Sequence, residues 1–186
     1  MNRAVFLDRD GVVNETLMVE GIPVTPKKVE DFRILPGVKK ALSALKRAGY
    51  FIFVVTNQPD IPRGTLTHEE LDKMHAVLAS SLPVDKIYVC AHDNEDACDC
   101  RKPKPGMLLQ AAEEWGLDLA ASYMIGDRWK DTEAGAAVGC TTILVKSPCS
   151  TEQPRHGRGR TVRSDYTVEN LAQAAKIILS RETDGR

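Results

Sequence analysis

The sequence predicts an α/β domain built on a doubly wound, mainly parallel sheet flanked by helices. Three observations carry that expectation. Short apolar runs alternate with amphipathic segments, the pattern of successive βαβ units. The polar residues suited to chemistry stand just after apolar runs, where open sheets bind ligands beyond the carboxyl ends of their strands. Finally, 186 residues, 42% hydrophobic and 27% charged, suffice for one well-buried core and hardly for two. We therefore expect a single domain over 1–180 and a frayed tail at 181–186.

The first strand is Val5-Phe6-Leu7, and it runs into Asp8-Arg9-Asp10-Gly11. An apolar run ending in such a turn delivers two carboxylates, Asp8 and Asp10, to one spot at the sheet edge. The stretch 14–32, rich in Pro, Gly and charge, reads as a long loop at that edge. Pro36-Gly37 opens a helix through Val38, Leu42, Leu45 and Ala48, and Gly49 closes it. Phe51 to Val55 is a buried strand ending at Thr56-Asn57-Gln58. Thr67 with Glu70 has the form of a capping box, starting a helix whose apolar face is Leu71, Met74, Val77 and Leu78. Met74 and His75 read as packing and surface.

Lys86 to Val89 is the next strand, opening into the loop 90–100. Pro105 begins a helix through Met107, Leu108, Ala111 and Trp115, stopped by Gly116. Tyr123 to Ile125 is a short strand ending in Gly126-Asp127, and Thr132 to Val138 an Ala-rich helix. Thr142 to Val145, then 166–168, are the last strands, and a helix over 168–179 finishes the domain. Between them, 147–164 reads as a solvated loop carrying Arg155, His156, Arg158, Arg160 and Arg163, with an anion contact as the rival reading. No insertion separates these elements, so no large cap domain is expected.

A net charge of −1 exerts no global pull toward nucleic acid or an anionic membrane. No stretch of about 18 apolar residues and no leader precedes the first strand, so the expected location is the cytoplasm. No interface is evident, and a monomer is expected. Three of the five cysteines crowd into Cys90 to Cys100, which suits a metal site in a reducing compartment.

In a parallel sheet the strand ends gather on one edge, so Asp8, Asp10, Thr56, Asn57, Asp127 and Asp131 become neighbours. Several carboxylates together repel unless a hard divalent ion is present, and Mg²⁺ is the expected guest. Such an ion takes one or two carboxylates plus substrate phosphate oxygens and leaves Asp8 an oxygen to act as nucleophile. Lys102 and the Thr56 hydroxyl can clamp the charge of a transferring phosphoryl group. Asp10, two residues on, is placed to protonate the leaving oxygen and later deprotonate a water. Cys90, His92, Cys98 and Cys100 supply four ligands within eleven residues, enough to close a tetrahedral structural Zn²⁺ site. That zinc would stiffen the loop leading into Arg101-Lys102. Cys140 reads as core and Cys149 as surface.

Asp8-Arg9-Asp10-Gly11, Thr56-Asn57, Lys102 and Gly126-Asp127-x-x-x-Asp131 together resemble the four motifs of the haloacid dehalogenase superfamily of aspartyl-phosphate phosphatases. Nearly the whole chain is covered. Phe6 to Gly11, Val55 to Gln58, Arg63-Gly64, Cys98 to Pro103 and Ala121 to Asp127 resemble the D-glycero-D-manno-heptose-1,7-bisphosphate 7-phosphatases in particular, with histidinol-phosphate phosphatases as close relatives. The resemblance implies a Rossmann-like fold, Asp8 as nucleophile and Asp10 as acid/base. It also implies Mg²⁺ on Asp8, the Asp10 carbonyl and Asp127, with Asp131 and Arg128 supporting. Asn57, Gln58, Arg63, Arg101 and Lys102 would contact a small phosphorylated sugar, and the pathway implied is nucleotide-activated heptose biosynthesis, which feeds lipopolysaccharide precursors. Thr16 to Val19 and Pro59 to Pro62 depart from the heptose pattern and bear on the substrate. The other reading is a histidinol-phosphate or other small phosphomonoester phosphatase.

Two further classes fit less well. A phospho-receiver domain carries its phosphorylated Asp after a middle strand and has no acid two residues on. A zinc-based binding module would leave Asp8, Asp10 and Asp127 idle, and basic residues do not dominate.

Overall fold

The computed structural model describes residues 1–148, 150 and 163–184; Cys149, Arg155, His156, Arg158 and Arg160 lie outside them. Six strands form one sheet: β1 (Arg3–Leu7), β4 (Tyr50–Asn57), β5 (Lys86–Cys90), β6 (Tyr123–Gly126), β7 (Thr141–Val145) and β8 (Tyr166–Val168). All neighbours run parallel, in the order β5-β4-β1-β6-β7-β8. The chain winds outward from β1 through β4 to β5, then returns to the other side of β1 as β6. The carboxyl end of β1 is thus the switch point where open α/β sheets form a crevice.

Alternation along the strands divides the core into two layers. Val5, Leu7, Ile52, Val54, Ile125 and Ile143 pack under helices α1 (Val38–Arg47), α2 (His68–Ser81) and α5 (Leu171–Asp184), through Leu42, Leu45, Met74, Leu78 and Ile178. Ala4, Phe6, Phe53, Val55, Tyr88 and Met124 face the other way, toward Met107, Leu108 and Ala111 of α3 (Gly106–Trp115). Cys140 is buried in this second layer. The fifth helix, α4 (Trp129–Ala137), follows β6 directly. Among the described residues no helix is long and apolar enough to cross a membrane.

Four elements differ from the sequence reading. The stretch 14–32 is more than a loop. It holds an antiparallel hairpin of β2 (Leu17–Val19) and β3 (Ile22–Val24) and a 3-10 turn at Val29–Asp31. Thr67 caps α2 by accepting from Glu70 N at 3.2 Å, but the Glu70 carboxylate does not return to the cap. It accepts from Val29 N at 3.0 Å instead, fastening this stretch to the domain. Helix α4 begins at Trp129, three residues early, because the Asp131 carboxylate accepts from Arg128 N at 3.0 Å and caps it from inside. Helix α5 starts late, at Leu171, where Asn170 Oδ1 accepts from Gln173 N, and runs on to Asp184. The tail is helical there because Glu182 bonds Arg3 and the Tyr50 hydroxyl.

Candidate active site

Strand β1 sits level with both neighbours at its end, Leu7 lying beside Val54 and Ile125. Asp8 N then donates to Ile125 O at 2.9 Å, which carries the strand one residue further and turns the Asp8 carboxylate into the cleft. Gly11 has φ of +88°, and a Cβ there would stand 2.3 Å from Asp127 Oδ2. The glycine is what allows this turn to pass under Asp127. At the end of β6 a Cβ on Gly126 would meet Asp131 Cβ at 2.1 Å, so the first turn of α4 folds against bare backbone.

Asp8, Asp127 and Asp131 are all buried, and each offers a carboxylate oxygen within 4.8 Å of the others. Lys102 Nζ donates to Asp8 Oδ1 at 2.7 Å and to Asp131 Oδ1 at 2.5 Å. Burial works against the Lys102 charge, yet Asp131 and Asp8 hold its pKa above the ordinary lysine value. Burial, only partly offset by Lys102, pushes Asp8 up to about 6. Asp127 goes higher, to about 8, through burial and then repulsion from Asp8 and Asp131. Its Oδ2 accepts from the Ser147 hydroxyl at 2.6 Å, while its buried Oδ1 has no hydrogen-bond partner among the described residues. An orphaned carboxylate oxygen beside two more carboxylates fits a hard divalent cation ligated by oxygens.

Asp10 is in a different state. Its Oδ1 accepts from Arg9 Nη2 at 2.9 Å and Asn14 Nδ2 at 3.0 Å, and its Oδ2 from Arg9 Nη2 at 2.9 Å and Gln58 Nε2 at 3.1 Å. Burial alone would raise this carboxyl, but Arg9 and these amides overcome it and hold the pKa below the ordinary range. Gln58 Nε2 also donates to Thr56 Oγ1 at 2.9 Å, which leaves the hydroxyl proton to donate elsewhere. Asn57 reaches the Lys102 backbone from both sides, accepting from its N at 3.1 Å and donating to its O at 3.0 Å. Asn57 and Gln58, expected on substrate, are therefore engaged with protein groups.

Strand β5 ends at Cys90, paired with Asn57, so the cysteine loop starts beside the cleft. Cys90 Sγ lies 3.7 Å from His92 Nδ1 and 3.7 Å from Cys98 Sγ. Cys100 Sγ lies 3.3 Å from His92 Nδ1, 3.0 Å from Cys90 Sγ and 3.5 Å from Cys98 Sγ. Ligand atoms of a tetrahedral zinc site stand roughly 3.5–3.8 Å apart, given Zn–S near 2.3 Å and Zn–N near 2.0 Å, so the four side chains stand at or just inside the spacing of that shell and would open slightly around the ion. Arg101 is tied into the loop, donating to Asn94 Oδ1 at 3.0 Å and His92 O at 2.9 Å. Arg63 pairs with Asp93 through Nε at 2.5 Å and Nη2 at 2.8 Å.

One cleft is lined by Asp8, Asp10, Asn57, Arg101, Lys102, Arg128 and Asp131, and Thr25 and Lys130 also face it. Arg63 lines an adjoining cleft, which shares Thr25, Asn57 and Arg128 with the first. Arg128 Nε stands 3.9 Å from Asp127 Oδ1. The sequence reading missed Arg9, Asn14, Thr25, Asp93, Lys130 and Ser147. Asn14 at the end of the Asp8 motif was the one with a usable signal, a polar residue four places after Asp10.

A family model described as haloacid dehalogenase-like hydrolase matches residues 3–136. The chain belongs to the haloacid dehalogenase-like hydrolase family. Within that family it is 37% identical to the D-glycero-beta-D-manno-heptose-1,7-bisphosphate 7-phosphatase of Yersinia pestis, with 96% of each chain covered. Identity to the enzyme of the same name from Photorhabdus laumondii is 39%, with 94% of each covered. The crystal structure of D,D-heptose 1,7-bisphosphate phosphatase from B. bronchiseptica, complexed with magnesium and phosphate, superposes with a TM-score of 0.78 at 32% identity. It covers 96% of this chain and 99% of its own. The fold, the parallel sheet and the family expected from the four motifs are thus borne out.

Proposed function

We propose that the protein is a Mg²⁺-dependent, cytoplasmic phosphatase that cleaves a sugar phosphate monoester through an aspartyl phosphate on Asp8, with the 7-phosphate of D-glycero-D-manno-heptose 1,7-bisphosphate as substrate. The observation that carries this reading is the juxtaposition of Asp8, Asp127 and Asp131, with Lys102 paired to Asp8 and Asp131, in a cleft that also presents Asp10. The full-length similarity to heptose-bisphosphate phosphatases supports the substrate.

Asp8 attacks phosphorus in line, the bond from phosphorus to the sugar oxygen breaks, and Asp10 gives that oxygen a proton. Asp10, now a carboxylate, takes a proton from water as the water attacks the acyl phosphate, releasing phosphate and free Asp8. Lys102 orients Asp8 by its hydrogen bond and, with the Thr56 hydroxyl, offsets charge on the transferring group. Asp8, the Asp10 carbonyl and Asp127 would hold Mg²⁺, supported by Asp131 and Arg128. That ion would neutralise phosphoryl oxygens in the transition state. Asn57 locks the Lys102 backbone and Gln58 links Asp10 to Thr56, so both act on substrate through their neighbours. Cys90, His92, Cys98 and Cys100 would hold a structural Zn²⁺ that fixes Arg101 beside the cleft, and Arg63 stands across Asp93 from it.

Phosphate release with Mg²⁺ from heptose 1,7-bisphosphate and from histidinol phosphate, at matched concentrations, tests the assignment. A strong preference for the bisphosphate is expected. Preference for histidinol phosphate would keep the chemistry and overturn the substrate.

A further inference from the structure

Arg9 heads the fully buried side chains by size, and its charge is enclosed at the back of the cleft. Two edges of its guanidinium are used. Nε and Nη2 grip Asp10, while Nη1 lies 3.3 Å from Nε2 of His75, on α2. Its Cζ also stands 5.8 Å from the centre of the Phe32 ring. Arginine is always a donor, so His75 Nε2 at that distance presents a lone pair and the ring carries its proton on Nδ1. Burial, then the Arg9 charge, lowers the His75 pKa to about 4, in keeping with a neutral ring. His75 is therefore half-buried and partnered, not a surface residue.

Every partner of the Asp10 oxygens is a donor, and donors favour the carboxylate. To carry a proton, Asp10 must loosen part of this set; on giving the proton up, the carboxylate returns to the set, and taking a proton from water loosens it again. The groups that stay put define where it returns. Asn14 is anchored by its own bond to Glu15 O and Gln58 by Thr56. For Arg9 the corresponding anchor is His75.

We propose that His75 is a positioning residue for the acid/base: by accepting from Arg9 Nη1 it fixes the guanidinium against which the Asp10 carboxylate is set between its two proton transfers. The proposal rests on the phosphatase reading above and adds to it a residue from outside the four motifs.

The test compares two leaving groups in His75→Leu and His75→Gln. The 7-oxygen of heptose 1,7-bisphosphate is an alkoxide that needs a proton to depart, whereas p-nitrophenolate leaves without one. The ratio kcat/KM reports only steps up to formation of the aspartyl phosphate, so it isolates the acid role from the later base role. General acid catalysis is worth about 10²–10⁴-fold, and misplacing the acid should cost on the order of tenfold or more on the alkyl ester. His75→Leu is expected to lose that much on heptose 1,7-bisphosphate and only about twofold on p-nitrophenyl phosphate. His75→Gln, which keeps an acceptor near the same place, should recover most of the loss. Equal losses on both substrates, no loss at all, or a Gln variant as impaired as the Leu variant would overturn the proposal.

Nitrogen-15 shifts of the wild-type His75 ring at neutral pH give a readout independent of turnover. A bare Nε2 and protonated Nδ1 are expected, and a protonated Nε2 would sink the pairing. Turnover by Asp8→Asn comparable to wild type would instead defeat the phosphatase reading, leaving the tautomer result to stand or fall separately.

Discussion

Asp8 and Asp10 are two residues apart and are held in opposite electrostatic states. Asp8 is buried against Lys102 among like charges and rises to about 6; Asp10 is saturated by donors and stays below its ordinary range. Environment, not residue type, sets the two carboxylates apart, and without the cation it is Asp8 that holds its proton more tightly; a divalent cation on Asp8 would favour the ionised, nucleophilic form. Asp8→Asn removes the nucleophilic oxygen while keeping an acceptor for Lys102. The expected outcome is loss of turnover by about 10⁴-fold or more with a far-UV spectrum like the wild type. Residual hydrolysis within tenfold of wild type would refute covalent catalysis at Asp8. Asp8, Asp10, Asp127, Asp131, Thr56, Asn57 and Lys102 were legible because each follows an apolar run or a short motif. Arg9 and Ser147 were not. Nothing in local spacing says that an arginine between two aspartates turns inward, or that a serine twenty residues beyond Asp127 will reach it.

At the scale of elements, strands were readable wherever period-two alternation or a continuous apolar run met a turn. The hairpin in 14–32 escaped because its turn is Glu20-Gly21, with φ of +50° and +80°, and glutamate gives none of the usual signal for such a turn. Its outward residues Met18, Val19 and Ile22 are exposed, so no burial pattern marks it either. The convergence of Cys90, His92, Cys98 and Cys100 was readable from their spacing, and the loop they form leads straight to the cleft. Cys100 is followed directly by Arg101 and by Lys102, whose backbone is locked to Asn57. Cys98→Ser should abolish stoichiometric zinc in the purified protein. It should also raise KM for the phosphate ester by roughly tenfold or more, because a misplacement of about 1 Å at a phosphate-binding cation is costly. Metal analysis and steady-state kinetics on the same sample check this, and unchanged zinc with unchanged KM would remove the loop from substrate binding.

The molecule as a whole concentrates its buried acidity at one end of one sheet. Three carboxylates and one lysine share the site, and the fold alone does not neutralise them. Asp8 and Asp127 have folded-state pKa values raised to about 6 and about 8, above the ordinary 3.8. Between those limits the folded state binds more protons than the unfolded chain, so stability is fully present below pH 3.8 for these groups and falls as pH rises toward 8. Two groups work in the other direction: Asp10, which has finished titrating in both states by about pH 5, and His75, held at about 4 against an ordinary 6.5, which offsets part of the Asp127 effect without reversing it because its shift is the smaller. Metal-free protein should therefore melt at a lower temperature at pH 8 than at pH 5.5. A divalent cation competes with protons for the same oxygens, so its stabilisation should have the opposite pH dependence. At a hundred times its Kd, Mg²⁺ adds about 2.7 kcal/mol, or on the order of 5–10 °C for a domain of this size. The gain should be large at pH 8 and small at pH 5.5. Thermal melts with and without Mg²⁺ at the two pH values decide the matter, and an equal shift at both would mean that the cation does not occupy the Asp8–Asp127 edge of the sheet.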